Sequence, residues 1–107
     1  MLYEKLRTAW SNGDLDGYKS VHHDDYHFVR HSTGETMKRT DMTDDQMKFM
    51  MENFKSEKER CIYEDDKVLV EHSHTTFPDG TKEAVMAVHM KKDGLLWRTE
   101  TGATPLK

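Results

Sequence analysis

The seven histidines are the side chains of this 107-residue chain best suited to metal binding or proton transfer. His23, His27 and His31 recur at four-residue steps, a spacing that would place three imidazole ligands on one face of a helix. The segment from Tyr26 to His31, however, has the aromatic and β-branched composition of a strand, in which only His27 and His31 share a side. The spacing therefore predicts no three-histidine metal site.

A second group, His72, His74 and His89, is expected on one side of a β-hairpin. The carboxylates within reach are Glu57 and Glu59, and no recognised ligand motif completes a closed metal site. We interpret these histidines as surface and interface residues. Neither a metal nor any other cofactor is predicted.

Arg30 and His31 are adjacent, and each side chain is suited to a different role in binding or catalysis. A guanidinium stays protonated and presents a planar fork of donors suited to a carboxylate, phosphate or enolate. An imidazole is the side chain whose ordinary pKa suits acid–base work near neutrality. The pair predicts an anion contact at Arg30 and a catalytic role for His31, and the alternative for Arg30 is an internal ion pair with Glu71 or another carboxylate.

Arg60 and Glu71 are predicted to lie opposite each other on adjacent strands. Opposed charges at such positions stabilise each other, so a cross-strand ion pair is favoured over a pair of ligand contacts. Cys61 is the sole cysteine and cannot form a disulfide within the chain. It lacks an evident activating base and is interpreted as a packing residue rather than a nucleophile.

Three turn signals divide residues 57–101 into the four strands of a meander. They are Asp65-Asp66, Pro78-Asp79-Gly80 and Asp93-Gly94, each flanked by β-branched, aromatic or alternating residues. The first half of the chain instead has helical patterns. Sheet and helices together predict an α+β domain with a concave face.

Three helices are predicted before the meander. An apolar stripe containing Leu6 and Trp10 ends at Gly13, which can adopt the left-handed C-terminal cap. Asp14 is a suitable N-cap for a short second helix. Thr43 begins a capping-box pattern for the third, whose methionines and phenylalanine form its apolar face.

Two-residue turns predict which side of the sheet each strand residue faces. They place Leu69 opposite Met90, Glu71 opposite Val88, and Met90 beside Trp97. The same side, expected to receive the helices, would also carry Ile62, Ala84, Met86, Leu95, Arg60, Ser73, Thr75 and Thr99. The outer side would carry Cys61, Tyr63, Val68, Val70, His72, His74, Val85, Ala87, His89, Leu96 and Arg98. That face is too apolar for a solvated surface, so a homodimer through the outer sheet face is predicted.

Composition narrows the choice of function classes. A chain of 107 residues suits one domain spanning 1–107. The net charge of -4 comes from interspersed charges without a basic stripe, which disfavours nucleic-acid binding. The absence of a long apolar run or a signal-peptide core predicts no membrane segment and a cytoplasmic location.

The order of these elements resembles the nuclear transport factor 2-like superfamily, in its SnoaL-like and ketosteroid isomerase-like branch. The resemblance spans nearly the whole chain and is carried by Trp10, Gly13-Asp14, Asp24-Asp25, Gly34, the helix from Met47 to Phe54 and the meander. It implies a cystatin-like α+β roll, in which N-terminal helices pack on the concave face of a curved, mostly antiparallel sheet. It also implies a pocket between helices and sheet, commonly in a dimer formed through the sheet.

The sequence departs from this family's isomerases at two positions. With ungapped spacing from Gly13-Asp14, the position of the isomerase's aspartate base is occupied by Arg30, and that of its tyrosine by Leu6. Arginine cannot act as that base, and leucine has no hydroxyl. Steroid isomerase chemistry is therefore disfavoured, and any activity must depend on other groups.

Two functions are predicted as alternatives. The first is a small-molecule-binding SnoaL-like domain with an anion-preferring pocket, whose catalytic form would be an enzyme of isomerase, cyclase or hydrolase type. The second is a non-catalytic dimeric structural or interaction domain with a vestigial cavity. A pocket of roughly a few hundred cubic ångströms that reaches Arg30 would favour the first. The expected ligand contacts are Arg30, Trp10, Phe28, Met47, Met50, Phe54, Arg60, Glu71, Trp97 and Thr99, with His31 as the catalytic residue.

Overall fold

The helices lie in the first half of the chain and most strands in the second. The computed structural model describes residues 1–107 and has three α-helices, α1 (Leu2–Ser11), α2 (Leu15–Ser20) and α3 (Asp44–Asn53), and a short 3-10 helix (Arg39–Asp41). Its six strands are β1 (His22–Arg30), β2 (Thr36–Lys38), β3 (Lys55–Glu64), β4 (Val68–Thr76), β5 (Lys82–Lys92) and β6 (Leu95–Pro105).

Local capping sets where α2 and α3 begin. The Asp14 carboxylate accepts the Gly17 backbone N–H at 3.0 Å and so caps α2. At α3, the Thr43 hydroxyl accepts the Gln46 N–H at 3.1 Å, and the Gln46 side chain accepts the Thr43 N–H at 2.9 Å. This reciprocal pair confirms the predicted capping box.

The strands form one sheet in the order β2-β1-β6-β5-β4-β3. All neighbours pair antiparallel except β1 and β6, which run parallel. The helices pack against this curved sheet, and the predicted α+β roll is confirmed. A small core between helices and sheet contains Leu6, Val21, Tyr26, Leu69 and Leu96.

The predicted pairing of β4 with β5 is wrong by one residue. Leu69 lies opposite His89, and Glu71 lies opposite Ala87. The turn is longer than two residues, because the Phe77 backbone N–H donates to the Thr81 carbonyl at 2.9 Å and closes the loop there. Since neighbouring strand residues point to opposite faces, this shift turns His89 toward the helices and sends the even-numbered residues from Ala84 to Met90 outward.

Irregularities in β3 and β6 make the predicted pairing of several residues in those strands wrong. The β3 register shifts on both sides of Arg60, which lies opposite His72, while Cys61 lies opposite Glu71. The predicted Arg60–Glu71 cross-strand pair is therefore wrong. Cys61 is exposed rather than packed, and its thiol pKa is raised mainly by desolvation.

The first of these shifts is accompanied by a left-handed residue, Lys58, with φ of +53°. Ile62, predicted to face the helices, is exposed. In β6 the register shifts at Met90, so that Arg98 rather than Trp97 pairs with that residue. These bulges account for the errors that the turn at Phe77 does not.

A buried ion pair fixes α1 against the end of the sheet. The Glu64 carboxylate accepts the backbone N–H groups of Leu2 at 2.7 Å and Tyr3 at 3.3 Å. Lys91 Nζ donates to the same carboxylate at 2.7 Å, and both side chains are almost fully buried. Because these contacts anchor the first turn of α1, they also set where Arg7, one turn later, meets the sheet.

Candidate functional site

A chain of hydrogen bonds crosses the buried face of the sheet. The Tyr26 hydroxyl donates to Thr99 Oγ1 at 2.6 Å. Thr99 Oγ1 also lies 2.6 Å from His89 Nδ1, and His89 Nε2 lies 2.7 Å from Glu71 Oε2. All four side chains are buried, so the chain is shielded from water along its length.

The partners determine where the protons of this chain lie. A carboxylate can only accept, so His89 Nε2–H donates to Glu71. In a neutral imidazole Nδ1 is then the acceptor, and it receives the Thr99 hydroxyl proton, while the Thr99 oxygen receives the Tyr26 proton. Every group in the chain is satisfied by this arrangement, which a reversal of the protons would disturb.

Arg7 of α1 closes the far end of the chain. Its Nη1 lies 3.6 Å from Glu71 Oε1. Its Nε donates to Glu59 Oε2 at 3.2 Å, and Nη2 makes an ionic contact with Glu59 Oε1 at 3.1 Å without an aligned hydrogen bond. The cation therefore lies between two carboxylates and balances part of their charge.

Burial keeps the tyrosines of this region protonated. It raises the pKa of Tyr18 to about 12, helped by the charge of Glu71. The pKa of Tyr26 is also raised, chiefly by burial. Both hydroxyls are therefore donors at neutral pH.

His22, at the start of β1, is held in one tautomer. Its Nδ1 donates to the Tyr18 carbonyl at 2.6 Å, and its ring packs edge-on against Tyr26 with centroids 4.5 Å apart. Burial lowers its pKa to about 4, with smaller contributions from His89 and Arg39. The imidazole is thus neutral at neutral pH, and Nε2 keeps a lone pair with no protein partner.

His22 and Tyr26 line a small cavity between the helices and the sheet. The cavity measures about 20 Å³ and is lined by Tyr18, Lys19, His22, Tyr26, Arg39, Met42 and Met47. That volume holds about one water molecule. His22, which has an unpaired acceptor, and Tyr26, whose hydroxyl begins the buried chain, both line this cavity.

Comparison with known proteins identifies the family. A family model described as a SnoaL-like domain matches residues 3–99. This chain belongs to the SnoaL-like domain family. The predicted membership of the nuclear transport factor 2-like superfamily is thereby confirmed. Among curated proteins, none matches the chain in sequence.

Solved structures share the fold of this SnoaL-like domain at low sequence identity. An NTF2-like protein of unknown function from Cytophaga hutchinsonii aligns over 96% of this chain and 87% of its own, with 12% identity and a TM-score of 0.77. A protein provisionally named a polyketide cyclase, from Silicibacter sp., aligns over 94% and 85%, with 16% identity and a TM-score of 0.70. A Catenulispora acidiphila protein with a ketosteroid isomerase-like fold, in complex with trimethylamine, aligns over 94% and 83%, with 9% identity and a TM-score of 0.63.

The predicted pair Arg30 and His31 lies outside the cavity. Arg30 is exposed at the end of β1, and His31 is exposed in the following turn, with Nε2 at 2.9 Å from Glu100 Oε1. Arg30 has no ion pair with Glu71, whose partners are Arg7 and His89. The ligand roles of Arg30 and His31 remain predictions.

Three of the predicted ligand contacts lie at the site. Met47 lines the cavity, and Glu71 and Thr99 belong to the buried chain. Phe28 is half-buried and packs on the core next to it. Trp10 does not line the cavity but packs against Tyr18, which does, with ring centroids 5.6 Å apart.

The other predicted contacts are dispersed. Phe54 packs against Phe77, with ring centroids 5.2 Å apart. Trp97 packs edge-on against His27 at 5.0 Å on the outer face. Arg60 is exposed, and Met50 lines a separate groove on α3.

Four further site residues are not indicated by the sequence patterns: His22, Tyr26, His89 and Arg39. His89 was assigned outward because of the register error. His22 and Tyr26 were missed because β1 starts at His22, four residues before the predicted strand. Their four-residue separation within one strand would have placed both on the helix-facing side.

No group of three or more His, Cys, Asp or Glu side chains is arranged to hold a metal ion. None of the helices is long and apolar enough to cross a membrane.

Proposed function

We propose that this domain binds a small molecule bearing a weakly acidic O–H group, such as an enol or phenol, in the cavity lined by His22 and Tyr26. The observation that carries the proposal is the unpaired Nε2 lone pair of a buried, neutral imidazole in a cavity. The Nδ1–H bond to Tyr18 fixes that tautomer. A ligand O–H would satisfy the free acceptor and compensate the burial of His22.

The sequence predicts that Arg30 gives the pocket its preference for anions. In the proposed site, two other cationic side chains would supply that preference. Lys19 and Arg39 line the cavity. Lys19 Nζ pairs with Asp44 at 3.0 Å, and Arg39 Nη1 donates to the His22 carbonyl at 3.0 Å. Their positive charge would favour the enolate or phenolate form of a bound ligand over the neutral form.

The same groups support proton transfer as the catalytic form of the proposal. His22 Nε2 can take a proton from the ligand, and the hydroxyl of Tyr18, which also lines the cavity and whose pKa is raised to about 12, can stabilise the oxygen on which negative charge develops. Enolisation requires that combination of base and donor. An isomerase or cyclase type of reaction is therefore the enzymatic function that the site fits best.

The non-catalytic alternative has its own supporting observation. The cavity measures about 20 Å³ and is not lined by Arg30, so it falls short of the pocket of roughly a few hundred cubic ångströms that would favour ligand binding. The polar residues beneath it already satisfy one another. Without an opening motion, these side chains would form a closed core network.

Matched ligands separate the two functions. We expect phenol to stabilise the wild type in a thermal shift assay and anisole, which lacks the O–H, to have no effect. His22→Phe should remove the phenol response, because it keeps an aromatic ring but lacks Nε2, whereas His31→Phe should preserve it. Equal responses to phenol and anisole would favour the non-catalytic alternative.

A pair of arginine variants tests the charge assignment. Arg39→Gln should weaken binding of a nitrophenolate more than that of phenol, whereas Arg30→Gln should leave both unchanged. If Arg30→Gln weakens the anion instead, the original prediction for Arg30 stands. Isothermal titration measures both affinities.

We further propose a homodimer through the outer sheet face. Val70 lies opposite Val88 there, Tyr63 lies opposite Val70, and Met86 is 44% exposed. Burying this apolar surface would favour association. Val70→Glu should halve the mass measured by light scattering, while Thr81→Glu in the exposed turn should not, and a monomeric wild type would refute the interface.

A further inference from the structure

Met42 is the one residue that lines both the cavity and a neighbouring groove on the surface. Met42 follows the 3-10 helix and lines the cavity together with His22 and Tyr26. It also lines an open groove of about 400 Å³. An unbranched side chain with three rotatable bonds can change position at low cost.

The groove beyond Met42 is mainly apolar and faces solvent. Besides Met42, it is lined by Met37, Asp45, Gln46, Phe49 and Met50. Phe49 is 52% exposed and Met37 is 36% exposed. Exposed apolar side chains around a concave surface mark an interaction site, and a groove of this volume has the size of a small-molecule site.

We propose that the groove binds an apolar tail of the same ligand whose O–H group reaches His22, and that Met42 moves aside to join groove and cavity. This inference rests on the proposed function for the head group. The ligand class is then an enol or phenol that carries an alkyl or aryl substituent.

The sizes and charges of the two spaces favour one continuous ligand. The cavity alone holds about one water molecule, whereas the groove has the volume of a small-molecule site. Asp45 and Gln46 contribute the polar groups of the groove, and Asp45 would repel an anionic tail. A neutral tail in the groove and an acidic O–H at His22 therefore match the separate chemistry of each space.

The methionines provide a direct probe of this arrangement. We suggest titrating protein labelled with ¹³C at the methionine methyl groups with a series of 4-alkylphenols from methyl to butyl. Affinity should rise about two- to fourfold per methylene as the tail enters the groove. The methyl signals of Met37, Met42 and Met50 should shift, and that of Met86 on the outer face should not.

Two exposed aromatic residues form a matched pair of variants. Phe49→Ser should flatten the rise in affinity with tail length, because Phe49 lines the groove and is 52% exposed. Tyr63→Ser should leave the rise intact, because Tyr63 is on the outer face and is 54% exposed. Met42→Ala should accelerate binding, since it removes the side chain that lines both spaces, whereas Met86→Ala should not.

The outcomes separate failure of the tail site from failure of the head site. If phenols bind better than the matching anisoles but affinity is independent of tail length, the head site stands and the tail inference is overturned. If alkylphenols and alkylanisoles bind the groove equally and His22→Phe does not change their affinity, the groove is an independent site and the inference is also overturned. No saturable binding by any member of the series would overturn both.

Discussion

The two faces of the sheet each carry a histidine–glutamate contact, yet these contacts differ in their surroundings. On the inner face His89 Nε2 lies 2.7 Å from Glu71, and on the outer face His31 Nε2 lies 2.9 Å from Glu100. The inner side chains are 8% and 11% exposed, and the outer ones 55% and 27%. Similar distances therefore occur in very different dielectric environments.

This difference in solvent exposure determines how strongly each network depends on its protein partners. Water competes for and screens the outer groups, where Arg98 also donates to Glu100 at 3.1 Å. Hydrogen bonds from His31 and Arg98 lower the pKa of Glu100, so that it remains a carboxylate. On the inner face the groups are linked in series and shielded from water, so loss of one partner leaves its neighbour buried with an unmet hydrogen bond.

The largest expected effect is that of removing Glu71. Glu71→Ala leaves both Arg7 and His89 buried without their shared carboxylate. We expect the free energy of unfolding to fall by about 3 kcal/mol, the lower range for breaking a buried ion pair. Urea denaturation measures this change, and Glu100→Ala on the outer face should leave the midpoint unchanged. Equal effects of the two variants would refute the contrast between the faces.

A second effect of burial should appear in the pH dependence of stability. The folded-state pKa of His22 is lowered to about 4, whereas an unfolded histidine titrates near its model value of 6.5. Between these values the unfolded state binds more protons, so stability is fully present above the unfolded pKa and is lost as pH falls toward the folded pKa. The loss at pH about 4 should approach 3 kcal/mol.

Variants isolate the contribution of His22 from that of the carboxylates. His22→Phe should flatten the pH dependence between about 4 and 6.5. His31→Phe, on the exposed turn, should retain it. Chemical denaturation across this pH range provides the comparison, and a wild-type curve that is flat there would contradict the burial of a neutral His22.

Thr99 should have a smaller effect, because it carries no charge. Thr99→Val removes the hydroxyl that joins Tyr26 to His89 and should cost about 1–2 kcal/mol. Thr99→Ser should restore most of the loss, because it keeps the hydroxyl. Thr104→Val, at an exposed position of the same strand, is the control, and a loss at Thr104 equal to that at Thr99 would exclude a specific role for the bridge.

Most of the fold could be predicted from local signals, whereas only Met47, Glu71 and Thr99 of the site could. The capping box at Thr43 and the turn signals of the meander act over a few residues and appear directly in the sequence. The register between β4 and β5 depends on the tertiary closure of the loop from Phe77 to Thr81. A one-residue change there transfers His89 from the outer face to the buried chain.

The site also depends on contacts between residues far apart in sequence. Glu64, the last residue of β3, accepts the backbone N–H of Leu2 and so anchors the first turn of α1 on the sheet. This anchoring lets Arg7 of α1 reach Glu71. Patterns within a short window contain no information about that contact. Composition could therefore suggest that polar residues line the inner face, but not which of them would meet.

The smallest expected effect is that of salt on the stability differences between the wild type and variants at Glu71 and Glu100, and it tests whether water reaches the inner network. Raising the ionic strength from about 0.1 M to about 1 M shortens the Debye length from about 10 Å to about 3 Å. Any stability difference between wild type and Glu100→Gln should then disappear, because Glu100 contacts His31 and Arg98 at the solvent surface. The difference between wild type and Glu71→Gln should persist, since the His89 contact is shielded from water. Urea titrations of the three proteins at both salt concentrations measure this, and a salt-sensitive Glu71 difference would show that water reaches the inner chain.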